Sequence, residues 1–296
     1  MATLAVTRRL DLTNEQWARL EPLLPVPTRS GRPSAWTKRQ LSTGSGGGWV
    51  GAPWRDVPDC YGSWRAVYAL FRRWQRARAW AQIVTALQTR ADAAGLITWD
   101  VSVDSTIARA HQHAAGARRH PSQQQEPPGG LSIEPEDHAL GRSRGGLTTK
   151  IHLACEQGQK VLSLIVTAGQ RGDSPQFRAV LDGINVPSIG AGRPRTRPDK
   201  VRADKAYSSR ANRAYLRRRG IACTIPGPAD QQHHRKNRGR RGGRPPRFSP
   251  DDYRARHAVE CGINRLNATA PSPPDTTNSP SATKPSSTSP SSTTGF

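Results

Sequence analysis

Residues 97–104, ITWDVSVD, alternate apolar and polar side chains and stop on an aspartate. Residues 201–209, VRADKAYSS, repeat the arrangement: a short apolar run leads into Asp204. Period-two alternation is the mark of a half-buried strand. Between the two, TTKIHLAC (148–155) and KVLSLIVTA (160–168) predict a hairpin that turns at Gln157-Gly158. Further on, a basic helix is expected at 208–219 and a strand at 221–226. A last helix is expected to begin near Pro250-Asp251 and to carry Tyr253, Arg256, Val259, Glu260 and Ile263. Strands interleaved with helices predict an α/β domain.

Upstream of Gly95 the periodicity is helical. DLTNEQWARLEPLL (11–24) puts Trp17, Leu20, Leu23 and Leu24 on one face, with Thr13 or Asn14 as cap and Pro25 and Pro27 as stops. A second helix is expected from about Ser34, broken by STGSGGG at 42–48. A third is expected to run unbroken from Ser63 to Thr89, with an aromatic core stripe and exposed Arg65, Arg72, Arg73, Arg76 and Arg78. That surface suits DNA, or is simply solvated. Residues 116–147 and 227–249 are basic and rich in glycine and proline. RKNRGRRGGRPPR (235–247) is expected to be a mobile arm that touches phosphate. The expected division is a helical DNA-binding domain at 1–95, a catalytic domain at 96–267 and a disordered Ser/Thr/Pro-rich tail at 268–296, in which Asp275 and Lys284 are the only ionisable side chains.

Lys and Arg number 45 against 22 Asp and Glu, a formal net charge of +23. A polyanionic partner is the direct reading, because neutralised phosphates release counterions. No stretch reaches the roughly 18 apolar residues of a membrane span, and the N-terminus has no signal-peptide pattern. The four cysteines form no C-x-x-C pair. A cytoplasmic, nucleoid-associated protein is expected, with no membrane partner. GRSRGG (141–146) lacks the G-K-[ST] ending of a phosphate-cradling loop, and His111 and His113 have no further zinc ligands at suitable spacing.

Asp104 and Asp204 at strand ends, with Glu260 on a packing helix, can converge to hold two hard divalent cations, the arrangement used for phosphodiester chemistry. Any one strand-end Asp is more often just the cap of the following turn. The surrounding motifs shift that balance. LTNEQWARLEPLLP, GAPWRDVPDCYGSW, VSVDSTIARAHQHAAGA, GRSRGGLTTKIHLA, ADKAYSSRANRAYLRRRGI and DDYRARHAVECGINRL together resemble the insertion-sequence transposases of family five, within the DDE group. The resemblance covers about 10–41 and 50–266.

This resemblance implies a ribonuclease-H-like catalytic domain behind a small helical domain that grips element ends. It makes Asp104, Asp204 and Glu260 the catalytic and metal-binding triad, served by two Mg²⁺ ions with Mn²⁺ able to substitute. The expected partners are double-stranded DNA, both terminal inverted repeats and target, bound by a homodimer or larger assembly. Tyr253, Arg256 and Glu260 match the family pattern of Tyr, Arg, Glu and Lys, but Asn267 stands where the closing Lys belongs. Tyr253 and Arg256 are expected to bind DNA, and Lys205, Arg210, Arg213, Arg217, Arg218 and Arg219 are expected along it. The alternatives are a catalytically defective remnant that only binds DNA and, from charge alone, a nucleic-acid packaging protein.

Both unusual segments are compatible with displaced reading frames. Codons exist for STGSGGGW (42–49) that spell INGIRWRV when read one base earlier. Others exist for the segment after Leu266 that spell a basic helix.

Overall fold

A computed structural model describes residues 11–26, 35–49, 54–110, 139–143 and 146–268. The calls on 116–138, on His111 and His113, and on the tail beyond Ala268 lie outside these residues.

Four helices come first: α1 (Asn14–Leu20), α2 (Lys38–Trp49), α3 (Trp64–Arg76) and α4 (Ala79–Ala93). Thr13 caps α1 in a capping box: its hydroxyl accepts from Gln16 N at 3.1 Å, and Gln16 Oε1 accepts from Thr13 N at 2.9 Å. Leu24, Leu41, Val67, Leu70, Trp74, Ala79 and Ile83 form the core of this bundle. Two expectations are corrected here. The helix predicted over 63–89 is two helices, because Arg78 adopts a left-handed conformation (φ 54°) and turns the chain. Periodicity missed the break because the apolar stripe resumes at once, with Trp74 and Trp80 in edge contact at 5.1 Å.

The second correction is that STGSGGG does not interrupt α2. The hydroxyls of Ser42 and Thr43 donate back to Lys38 O and Arg39 O at 2.6 and 2.8 Å, and Ser45 Oγ donates to Ser42 O at 2.6 Å. Self-satisfied hydroxyls can be buried, so tertiary packing overrides the poor helix propensity of the segment. At Gly44 the helices approach so closely that a Cβ would stand 2.8 Å from Tyr61 Cβ.

The rest is built on one sheet: β1 (Asp100–Arg109), β2 (Gly141–Ser143), β3 (Gly146–Glu156), β4 (Val161–Ala168), β5 (Lys200–Ala203) and β6 (Ala222–Thr224). β1, β3 and β4 form an antiparallel meander, and short β2 shares the β4 edge of β3. β5 adds parallel to β1, and β6 parallel to β5. The order β4-β3-β1-β5-β6 is that of a ribonuclease-H-like sheet, so the chain is α/β with a helical N-terminal part. α5 (Asp173–Asp182) and α6 (Arg210–Arg218) cover one face, where Val101, Val103, Phe177, Leu181, Val201 and Leu216 are buried. On the other face lies α9 (His257–Ala268), whose Val259 and Ile263 pack on Leu153 and Cys155.

Three further boundaries differ from expectation. β1 does not stop at Asp104 but runs on to Arg109, held by its pairing with β3. The arm at 227–249 contains a helix, α7 (Ala229–Asn237), and a 3-10 turn at Gly239–Gly242. The last helix is two, α8 (Pro250–Arg254) and α9, with a bend at Ala255 and Arg256.

Candidate active site

The parallel register pairs Val103 with Ala203. The next residue on each strand is an aspartate, so Asp104 and Asp204 face the same side on adjacent strands, about 4.8 Å apart at the backbone. Each has one oxygen engaged locally. Asp104 Oδ1 accepts from Ser105 N at 2.8 Å, and Asp204 Oδ1 accepts from Lys205 N at 2.5 Å, capping a 3-10 turn. Turn capping therefore explains one oxygen of Asp204, whereas Asp104 lies within β1 and caps no turn.

Arg256 lies against Asp104. Its Nη1 donates to Asp104 Oδ2 at 2.8 Å, and its Nη2 bonds Glu260 Oε1 from one turn further along. Glu260 Oε2 also meets His257 Nδ1 at 3.0 Å. The guanidinium stands 5.6 Å from the centre of the Tyr253 ring. Burial raises the Asp104 carboxyl above its ordinary value, and the neighbouring Asp204 charge adds to this against the pull of Ser105 N–H and Arg256. Glu260 is held low, first by its hydrogen bond with His257 and then by Arg256.

Among the described residues no three His, Cys, Asp or Glu side chains gather into a ready cluster, because the Glu260 carboxylate is turned onto Arg256. The donors themselves fit a hard divalent cation: they are oxygen-only, anionic and mutually repelling at Asp104 and Asp204. Asp104, Asp204 and Glu260 are the residues that could hold one, and Glu260 would have to leave Arg256 to do so.

Sequence reading missed the supports of this site. Arg202 is buried on β5 and reaches Asp100 Oδ2 at 2.9 Å, Asp252 Oδ1 at 2.5 Å and Asp252 O at 2.9 Å. Lys200 Nζ and the Thr224 hydroxyl join the same Asp252 carboxylate. These bonds anchor α8 across β1, β5 and β6 and so set the position of Tyr253 and Arg256. Behind Asp104, Ser105 Oγ donates to Asp173 Oδ1 at 2.7 Å, and Lys150 Nζ meets the same oxygen at 3.0 Å. His152 is fully buried there, bonded to Thr167 Oγ1 at 2.9 Å. The one hint in the sequence was Gly172-Asp173-Ser174-Pro175, an acidic helix start immediately after a strand.

Of the cations expected along DNA, Lys205, Arg210, Arg217 and Arg218 are exposed. Arg213 is half-buried and donates to Ser208 Oγ at 2.9 Å and Ile225 O at 2.7 Å. Arg219 is held by Asp182, Tyr215 and Thr196 O. His233 and His234 lie exposed on α7. No described helix is long and apolar enough to cross a membrane.

Fold and site together define an α/β protein of ribonuclease-H-like topology with paired aspartates at its central strands. Residues 97–288 match the family described as "Transposase DDE domain", and residues 12–84 match "Putative transposase of IS4/5 family". The chain belongs to the DDE-domain transposase family. It is 36% identical over 111 residues to the uncharacterized protein y4sN of Sinorhizobium fredii (strain NBRC 101917 / NGR234), across 36% of this chain and 83% of that one. Among solved structures it is similar to the piggyBac transposase in a synaptic complex with hairpin DNA, at 12% identity and TM-score 0.33, over 80% of this chain and 53% of that chain. It is also similar to the Mos1 strand transfer complex, at 12% identity and TM-score 0.27, over 87% and 86%. The chain thus spans about half of the piggyBac protein's length.

Proposed function

We propose that this chain cleaves DNA at the ends of an insertion sequence and joins the freed end to target DNA, with Asp104, Asp204 and Glu260 as its metal-holding carboxylates. The observation that carries this reading is the register that sets Asp104 beside Asp204, with Glu260 one helical turn from the arginine that bonds Asp104. Bound Mg²⁺, two ions in this reading, would supply activation of the attacking oxygen and stabilisation of the leaving one.

In cleavage, a water oxygen forms a bond to phosphorus, the P–O3′ bond breaks, and the 3′-oxygen leaves as a hydroxyl. In strand transfer that hydroxyl attacks a target phosphodiester, and the displaced target oxygen takes up the proton. Asp104, Asp204 and Glu260 would hold the cations, which would supply charge to orient the scissile phosphate. Arg256, released from Glu260, turns to a phosphate oxygen with Tyr253 beneath it. Lys205 and the exposed arginines of α6 lie along the duplex, and α1–α4 grip the element end. A homodimer or larger assembly pairs the two ends on the nucleoid.

The test is incubation of the full chain with Mg²⁺ and a duplex carrying the DNA that flanks its gene. Nicks with 3′-hydroxyl ends that vanish in Asp204→Ala support the reading, and binding without any nick contradicts it. A second reading is favoured by Asn267, which cannot supply the family's closing positive charge. In that reading the chain occupies element ends without cutting.

A further inference from the structure

Beside the β6 edge of the sheet lies a cleft of about 720 Å³, outside the carboxylate site. Its size falls within the roughly 300–1,000 Å³ of clefts that seat organic ligands. Lys200, Arg213, Arg217, Arg244 and Arg247 line it, with Cys223 among them. Five cations thus face one carboxylate, Asp252, and that carboxylate is already engaged by Arg202, Lys200 and Thr224. Arg217, Arg244 and Arg247 are exposed and have no carboxylate partner among the described residues. Arg213, tied to Ile225 O, contributes charge to the cleft rather than reach. Its guanidinium is pushed down chiefly by burial, with Cys223 opposing and Arg235 and Arg217 adding to the fall.

The geometry points to a second nucleic-acid subsite: this cleft seats the phosphodiester backbone of the bound DNA, remote from the cutting centre. The inference rests on the proposed DNA-binding function and locates one of its contacts. Lys200 and Asp204 lie on the same face of β5, four residues apart, roughly 13 Å at about 3.3 Å per residue. A duplex advances about 3.4 Å per base step on each strand, so for a duplex whose axis follows β5 roughly four steps would separate a phosphate at the aspartates from one at the cleft. The arm at 244–247, bare of secondary structure and carrying two arginines around Pro245-Pro246, forms the outer wall. Contacts here are to backbone only, so they add affinity and register without reading sequence.

The experiment uses the full chain and a 30-base-pair duplex of arbitrary sequence. The first readout is the rate of alkylation at Cys223, followed by mass spectrometry. The second is the slope of log Kobs against log salt for the native chain, for the triple variant Arg217→Gln, Arg244→Gln, Arg247→Gln, and for the matching triple Lys variant. Saturating duplex is expected to slow Cys223 alkylation at least fivefold, while millimolar orthophosphate leaves it unchanged. The Gln variant is expected to lose about 2.7 from the slope, at about 0.9 per phosphate contact, and the Lys variant to retain it. Equal protection by orthophosphate would make the cleft a small-anion site and overturn the backbone assignment. Duplex binding with Cys223 unprotected and the slope unchanged would overturn the cleft while leaving DNA binding intact. Absence of any duplex binding would overturn both.

Discussion

Arg256 stands where opposing needs meet. Without a cation, Asp104, Asp204 and Glu260 would repel one another, and the guanidinium bridging Asp104 and Glu260 relieves that repulsion. A divalent cation held by the proposed triad would have to compete with it. Arg256→Gln is therefore expected to tighten Mn²⁺ binding by the DNA-free chain about tenfold, a change of about 1.4 kcal/mol, measured by electron paramagnetic resonance. Unchanged affinity would show that the arginine and the metal do not share the site. A second residue-level prediction concerns Asp252. Its partners hold its carboxyl well below the usual carboxylate range, with hydrogen bonds from Arg202, Thr224 and Lys200 outweighing the cost of burial. The folded value lies below the unfolded one. The stability it contributes is thus complete above the unfolded value near 4 and is lost as pH falls further. Asp252→Asn should cost about 3 kcal/mol at pH 7, since it leaves buried Arg202 half-paired, and should flatten the acid limb of a denaturation profile. An unaltered limb would deny the cluster its anchoring role. Such residues were invisible in the sequence for a plain reason: Arg202 and Asp252 lie 50 positions apart, and Ser105 and Asp173 lie 68 apart. Asp104 and Asp204 were legible because each closes an alternating run.

At the scale of elements, strands were read with the right faces and less certain ends. The alternation of ITWDVSV finds β1, but only its pairing with β3 carries it past Asp104 to Arg109. The break at Arg78 and the bend before α9 were hidden because apolar spacing continues across them. α2 is the informative case. Ser42 and Ser45 are 8% and 1% exposed, hydroxyls in places that a helix of this bundle would fill with apolar side chains. The displaced frame, INGIRWRV, puts isoleucine at both positions and keeps glycine at 44, where a Cβ would crowd Tyr61 and Val67. Replacing 42–49 with that sequence should raise the thermal midpoint by at least about 5 °C, given roughly 1.5–3 kcal/mol for each buried isoleucine and about 2–4 °C per kcal/mol in a chain of this size. Gly44→Ala should lower the midpoint, although alanine is the better helix former by about 1 kcal/mol. A neutral or destabilising segment swap would mean that the serine and glycine residues belong in α2.

At the scale of the whole molecule, the fold brings together distant parts of the chain: Asp104 of β1 stands beside Asp204 at the end of β5, and Arg256 links Asp104 to Glu260 of α9. The helical part is stitched to the sheet by Gln88 Nε2 donating to Val161 O at 2.8 Å and Trp99 Nε1 donating to Asp92 Oδ1 at 2.7 Å. The order of helices and strands, and the net charge of +23, were legible from the sequence. The basic cleft was not, since it joins α6, β6 and a segment read as a loose arm. The central claim is that Asp104 and Asp204 act as one cation-holding unit. Its most direct measurement is Mn²⁺ affinity by electron paramagnetic resonance for the native chain, Asp104→Asn and Asp204→Asn, each shown to be folded by circular dichroism. The account predicts that either substitution weakens binding at least tenfold and that the double variant is little worse than either single one. Native-like affinity in either single variant would contradict it.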